Sequence, residues 1–222
     1  MRKIQFSENE FYHIYNRGVD KRQVFLAGRD YQRFLETIAH INDENNHLGL
    51  AAFKRLPASL SPPRCVATHL GGVNRLVDII CYCLNPNHFH FILKQNKENG
   101  ISLFMARLSN SYTRYFNVKN KRSGVLFQGR FKSIHINSRE YLLYLSAYVN
   151  CNNFIHGYNK RMEEWPYGSY LDYVGKRNGK LCQKETILGQ FEESIGEYEK
   201  FCQINAEYLK EKKELQKYLL EE

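Results

Sequence analysis

The sequence predicts an α+β fold built on an antiparallel sheet. The first observation behind this is the order of periodicities along the chain: strand, helix, hairpin, helix, strand, helix. The second is a pair of apolar runs joined by Asn85-Pro86-Asn87, a tight turn that makes them a hairpin and so requires antiparallel pairing. The third is a change of charge along the chain. A basic centre gives way to a Glu-rich tail, which sets a compact unit over residues 1–175 apart from a helical extension over 176–222. The element order is compatible with the split βαβ, ferredoxin-like arrangement.

Each element has its own signal. Phe11-Tyr-His-Ile-Tyr-Asn-Arg17 is aromatic and β-branched and reads as a first strand, ended by Gly18. Tyr31, Phe34, Leu35, Ile38 and Ile41 recur at helical spacing, with Asp30 as a candidate cap. Pro57, Pro62, Pro63, Gly71 and Gly72 break any long element over residues 51–76, which read as an inserted loop with a short strand near 65–68. Residues 77–84 and 88–94 form the hairpin. Ile101, Phe104, Met105, Leu108, Tyr112 and Tyr115 mark a second helix, and residues 125–136 an extended run opened by Gly124. Ser138 caps a third helix carrying Tyr141, Leu142, Leu145, Tyr148 and Val149. The tail from residue 184 is Glu/Lys-rich with recurring apolar residues, and reads as helical. No internal repeat is present.

Composition narrows the function. With 222 residues and 43% hydrophobic content, the chain can bury a core of its own. No stretch approaches the roughly 18 apolar residues of a membrane span, and the first residues lack the apolar core of a signal peptide, so a cytoplasmic, nucleoid-associated protein is expected. In that setting the six cysteines read as reduced thiols. The net charge is +9, and its placement is informative. Residues 99–139 contain no Asp or Glu but hold Arg107, Arg114, Lys119, Lys121, Arg122, Arg130, Lys132 and Arg139. A basic stretch of this kind suits a polyanion. It also suits a solvated basic face.

His88-Phe89-His90 is the most informative tripeptide. Residues two apart on a strand share a face, so both imidazoles project together while Phe89, Phe91 and Leu93 point to the core. Such a pair is half of a divalent metal site, and equally a structural or surface pair. Cys81 and Cys83 share a face of the neighbouring strand. They read as small core residues or, with the histidines, as a Cys₂His₂ zinc site in a DNA-binding regulator.

From Cys83-Leu-Asn-Pro-Asn-His-Phe-His-Phe-Ile-Leu93 the chain resembles the HUH one-tyrosine transposases of the insertion-sequence-200-like group, in particular the REP-associated tyrosine transposases. Tyr12-His-Ile-Tyr-Asn-Arg-Gly18, Leu108 through Phe116, Phe127-Gln-Gly-Arg-Phe-Lys-Ser133, Glu140 through Tyr148 and Trp165-Pro-Tyr-Gly-Ser-Tyr170 are similar to further segments of that family, in the same order. The resemblance implies Tyr148 as the nucleophile and Asn152 as the polar third ligand beside His88 and His90. Residues four apart share a helix face, which suits that pairing. A core position for Tyr148 and a helix C-cap for Asn152 are the plain alternatives. The family's Pro after the ligand position is replaced by Asn153.

The activity implied is cleavage and rejoining of single-stranded DNA through a 5′-phosphotyrosine link, with Mg²⁺ or Mn²⁺. The partner implied is single-stranded, hairpin-forming DNA, bound by a monomer or homodimer. Arg107, Arg114, Arg130 and Lys132 are candidate phosphate contacts, and Tyr112, Tyr115, Phe116 and Phe127 are candidate base-stacking or core residues. Gln128 reads a base edge or satisfies backbone. His13, Asn16 and Arg17 lie on the first strand, where a structural role suits them, and Arg17 also stands among the candidate DNA contacts. His135 and His156 read as surface histidines. A non-catalytic single-stranded nucleic-acid-binding protein of the same fold is the other reading.

Overall fold

The computed structural model describes residues 5–44 and 74–219. Four strands, β1 (Phe11–Arg17), β2 (Val77–Asn85), β3 (His88–Gln95) and β4 (Lys132–Ile136), form one sheet in the order β2-β3-β1-β4. Every neighbouring pair is antiparallel. The helices are α1 (Gly28–Ile41), α2 (Gly100–Lys119), α3 (Arg139–Asn150), α4 (Asn152–Ile155), α5 (Tyr170–Tyr173), α6 (Glu185–Leu188) and α7 (Ile195–Leu219). This is the α+β, split βαβ arrangement that the sequence predicts.

The hairpin is tighter than the three-residue link expected. Asn85 pairs with His88, so only Pro86 and Asn87 turn the chain. The turn is held from outside: the Pro86 carbonyl accepts from the Val24 and Phe25 amides (2.8 and 3.0 Å), and the Asn87 carbonyl from the Gly18 amide (2.8 Å). Gly18 is needed for this approach, because a Cβ there would lie 2.2 Å from the Arg22 carbonyl oxygen.

Alternation along the strands divides the sheet. Phe89, Phe91 and Leu93 are buried on the face covered by α1 and α2. The Phe34 ring of α1 lies 5.5 Å from Phe89 and 4.8 Å from Tyr112 of α2, edge to face with the latter. Each such ring contributes roughly 1.5–3 kcal/mol by leaving water. The opposite face carries His13, Tyr15, Cys83, His88 and His90 beneath α3 and α4.

Several local expectations are refined. Asp30 sits inside the first turn of α1, where its carboxylate accepts from the Leu26 and Ala27 amides (2.9 and 3.1 Å), capping from within. The run over 125–136 is a strand only over its last five residues; Gly129, at a φ of +67°, leaves the extended conformation ahead of it. Ser138 caps α3, its Oγ accepting from the Tyr141 amide. Residues 51–73 of the inserted loop, with its short strand and Cys65, lie outside the described residues.

Residues 165–169 run along the edge of β2. The Trp165 indole donates to the Leu84 carbonyl (3.0 Å), the Leu84 amide to the Tyr167 carbonyl (2.9 Å), and the Ser169 amide to the Tyr82 carbonyl (2.9 Å). The segment thus covers an edge that would otherwise expose unpaired backbone groups. The extension packs back on α3 and α4. Asn150 donates to the Tyr198 hydroxyl (2.7 Å), which donates to Ser146 (3.1 Å), and Lys210 lies 4.4 Å from the Phe154 ring centroid. The described cysteines, Cys81, Cys83, Cys151, Cys182 and Cys202, are buried free thiols. Among the described residues no helix is long and apolar enough to cross a membrane.

Candidate active site

The His-x-His pair stands at the start of β3, in the second strand position of the sheet. Register places Asn85 and Cys83 of β2 opposite His88 and His90 on one side, and Arg17 and Tyr15 of β1 opposite them on the other. All of these side chains share the face covered by α3 and α4, by the period of two. Above them lies Tyr148, its ring centroid 5.6 Å from that of His90 and 6.1 Å from that of His13, edge-on to both.

Asn152 reaches the same place by a route that helical spacing does not describe. Helix α3 stops at Cys151, whose φ of −101° and ψ of 11° serve as its C-cap, and Asn152 opens α4. Its Oδ1 lies 3.2 Å from His88 Nε2 and accepts from Asn85 Nδ2 at 2.6 Å. The cap role considered for Asn152 therefore falls to its neighbour.

Protonation can be read from these contacts. His88 Nδ1 lies 2.6 Å from Asn87 Oδ1, an acceptor, and Nε2 lies 2.9 Å from Asn85 Nδ2, a donor; a ring proton on Nδ1 and a lone pair on Nε2 satisfy both contacts. That lone pair and Asn152 Oδ1 are two acceptors pointing into one region, with Asn85 Nδ2 donating to both. His90 Nδ1 is 2.9 Å from His13 Nε2. Burial pushes His88 below the ordinary histidine range, His90 well below it, and His13 down to about 4. Neutral imidazoles keep the lone pairs that a metal requires. Two neutral imidazoles and an amide oxygen on one face fit a divalent cation with open positions.

The zinc alternative is not assembled. Among the described residues no group of three or more His, Cys, Asp or Glu side chains is placed to hold a metal. Burial raises the Cys83 thiol to about 12 and Cys81 well above its ordinary value, which opposes the thiolate that zinc takes as a ligand. Both thiols pack as small core residues.

The candidate DNA contacts separate into groups. Arg17 and Gln128 are exposed at the site's edge, the Arg17 Nε donating to Gln128 Oε1. Lys132, opposite Tyr15, and Arg130 are exposed on the same side of the sheet's end. Arg114 lines a separate groove of about 740 Å³ with Lys121 and Arg122. Arg107 lies apart from all of these: its guanidinium donates to the carbonyls of Ile41, Asp43 and Glu44 and ties α2 to the end of α1. Tyr112 and Phe116 are core, and Phe127 is buried with them.

Sequence reading passed over four residues at this site. Asn85 was legible only as turn chemistry. His13 sits against His90. His156, read as a surface histidine, places its ring 5.1 Å from His88. Lys213 of α7 donates to His156 Nδ1 at 2.6 Å. No local signal in the Glu/Lys-rich tail distinguishes this lysine from its neighbours. His135 is exposed and pairs with Glu10, as a surface histidine would.

Comparisons with known proteins bear on the family segment and on the fold. Residues 73–152 match the family model described as "Transposase IS200 like", a span that contains His88, His90, Tyr148 and Asn152. No curated protein matches the chain. Among solved structures, the chain is similar to one described as the structure of the REP-associated tyrosine transposase bound to a REP hairpin. Identity is 17%, 79% of this chain and 85% of that chain are covered, and the TM-score is 0.53. The resemblance read from the motifs thus stands in sequence over the family segment, and in fold over most of the chain.

Proposed function

We propose that this chain is a metal-dependent transposase that cleaves and rejoins single-stranded DNA with Tyr148. The observation that carries the reading is the meeting of Tyr148 with the His88, His90 and Asn152 acceptors on one polar face, inside the segment matched by the transposase family model. Transposase-type DNA processing is supported by that match and by the fold. The single-strand chemistry, the metal and the residue roles are the finer part of the proposal.

His88 Nε2, His90 and Asn152 Oδ1 would hold Mg²⁺ or Mn²⁺. When bound, the ion withdraws charge from the non-bridging oxygens of a phosphodiester and so lowers the barrier to attack by an anionic nucleophile. Tyr148 supplies the nucleophile. Burial holds its phenol above the ordinary tyrosine value, while a hydrogen bond with the Asn152 side chain works in the opposite direction. The phenol is therefore protonated at rest and loses its proton only as it reacts. Its oxygen attacks phosphorus, the O3′–P bond breaks, and the leaving strand keeps a 3′-hydroxyl. The phosphotyrosine retains the diester linkage, so a second 3′-hydroxyl can displace the tyrosine and rejoin strands without ATP.

In this reading residues 1–175 are the catalytic unit and 176–222 an extension docked on its tyrosine helix. Arg17, Gln128, Arg130 and Lys132 contact the strand near the site, and Arg114 binds phosphates farther away, on a hairpin-forming partner. In the single chain Tyr148 meets the histidines of that same chain.

The test is incubation with single-stranded hairpin DNA and Mn²⁺, followed by denaturing electrophoresis. A protein–DNA adduct is expected with the wild type and none with Tyr148→Phe. An unchanged adduct in the variant would remove Tyr148 from its role. Shifted mobility on native gels without any adduct would favour the non-catalytic binding protein.

A further inference from the structure

The structure assigns His13 a task that neither the motif nor the comparisons give it: we infer that His13 is the positioning residue that accepts the Nδ1 proton of His90 and thereby leaves His90 Nε2 free to ligate a cation. The inference rests on the metal reading above.

Three observations carry it. The first is place. His13 lies on β1, on the same face as Tyr15, which pairs with His90, so it stands diagonally beside that ligand on rigid backbone. The second is the contact. His13 Nε2 is 2.9 Å from His90 Nδ1, the rings stack at 5.1 Å between centroids with an interplanar angle of 18°, and the bond is buried. The third is what His13 lacks. Its Nδ1 is buried with no partner among the described residues, and when Nε2 accepts from His90 this nitrogen carries the ring proton unpaired. A buried imidazole with one nitrogen unpaired is a poor filler for a position that Phe would occupy without cost. The bond to His90 is the polar contact of this ring, and it accounts for an imidazole there.

The proton in that bond sits on one nitrogen or the other. On His90 Nδ1, it leaves the His90 Nε2 lone pair available. On His13 Nε2, it converts His90 to the Nε2–H tautomer, which has no lone pair to offer a metal. The tautomer of His13 therefore decides whether His90 can ligate. His88 is arranged by the same logic, with Asn87 Oδ1 taking its Nδ1 proton. Outer partners of this kind fix both tautomer and ring orientation in metal sites.

The test uses the full chain without DNA. Mn²⁺ binding is measured by titration calorimetry for the wild type, His13→Phe and His13→Gln, with circular dichroism to establish folding. Binding is expected to weaken about 10–100-fold in His13→Phe, and to recover in part in His13→Gln, whose amide oxygen can accept the proton. In parallel, ¹⁵N imidazole spectra of the wild type loaded with diamagnetic Mg²⁺, which avoids the line broadening of Mn²⁺, are expected to show His90 protonated on Nδ1. Mn²⁺ affinity within twofold of wild type in a folded His13→Phe overturns the inference and leaves the metal site intact. A wild type that takes no Mn²⁺ overturns the metal reading itself. Should His13→Phe fail to fold, the Gln variant and the wild-type spectra decide: a His90 protonated on Nε2 is the overturning result.

Discussion

The two faces of the central sheet both bury side chains and are chemically opposite. Beneath α1 and α2, Ile14, Phe89, Phe91 and Leu93 meet the rings of Phe34 and Tyr112, and packing alone holds them. Beneath α3 and α4, His13, Asn85, His90 and Asn152 are just as far from water, and each depends on a hydrogen-bonding neighbour. A single alternation along β1 and β3 produces both. The difference teaches that burial on one face supplies stability and on the other keeps the imidazoles neutral, as the proposed metal site requires, at a cost that the apolar face offsets.

The comparison can be broken most sharply at Tyr148. Tyr148→Phe keeps the ring and removes the proposed nucleophile, so strand cleavage is expected to fall by at least about 10³-fold with the melting curve little changed. A variant that cleaves normally would show that the polar face is structural. The apolar face should respond in the opposite sense. Phe91→Ala is expected to cost roughly 3–5 kcal/mol in urea unfolding, because it leaves a cavity under Phe34. A loss below about 1 kcal/mol would mean that this face does not carry the fold.

Asp30 sharpens the contrast, since it is a buried charge on the apolar side. Burial alone would raise its carboxyl, but hydrogen bonds from Lys119, the Leu26 amide and Tyr115 outweigh this and hold it below its ordinary value of 3.8. A depressed folded value means that the contribution is present above the unfolded pKa and is lost as pH falls through the folded one. Stability measured by thermal melting should therefore drop below about pH 4 in the wild type, with a smaller drop in Asp30→Asn. That variant should itself lose about 2 kcal/mol at pH 7, through the cap and the ion pair. Identical acid profiles would remove Asp30 as the source.

The smallest effect is expected at Lys213, which the extension brings beside His156 and His88. Lys213→Ala should weaken binding to hairpin DNA and reduce the slope of log affinity against log salt by about one. An unchanged slope would show that this cation does not meet phosphate.

Much of this molecule is legible in order along the chain. The His-x-His strand declares its shared face by spacing, and Ser138 announces its helix by its hydroxyl. The Asn-Pro-Asn turn was equally visible, but only as a turn. That Asn85 would donate to His88 and Asn152 depends on the register of β2 against β3 and on where α4 begins, and a turn dipeptide contains neither. Arg107 was read with the other basic residues because charge is visible in a sequence, whereas the carbonyls it meets at the end of α1 are not.

Alternation and element order, which are local properties of neighbouring residues, determined the α+β class, the hairpin and the pairing of His88 with His90. Contacts between residues far apart in the chain were decided only by the tertiary structure: His13 against His90, Asn85 against Asn152, and Lys213 against His156. The physical reason is range. A side chain's direction follows from its own backbone, but its partner depends on how strands slide into register and where helices stop. Those are settled by packing the whole fold at once.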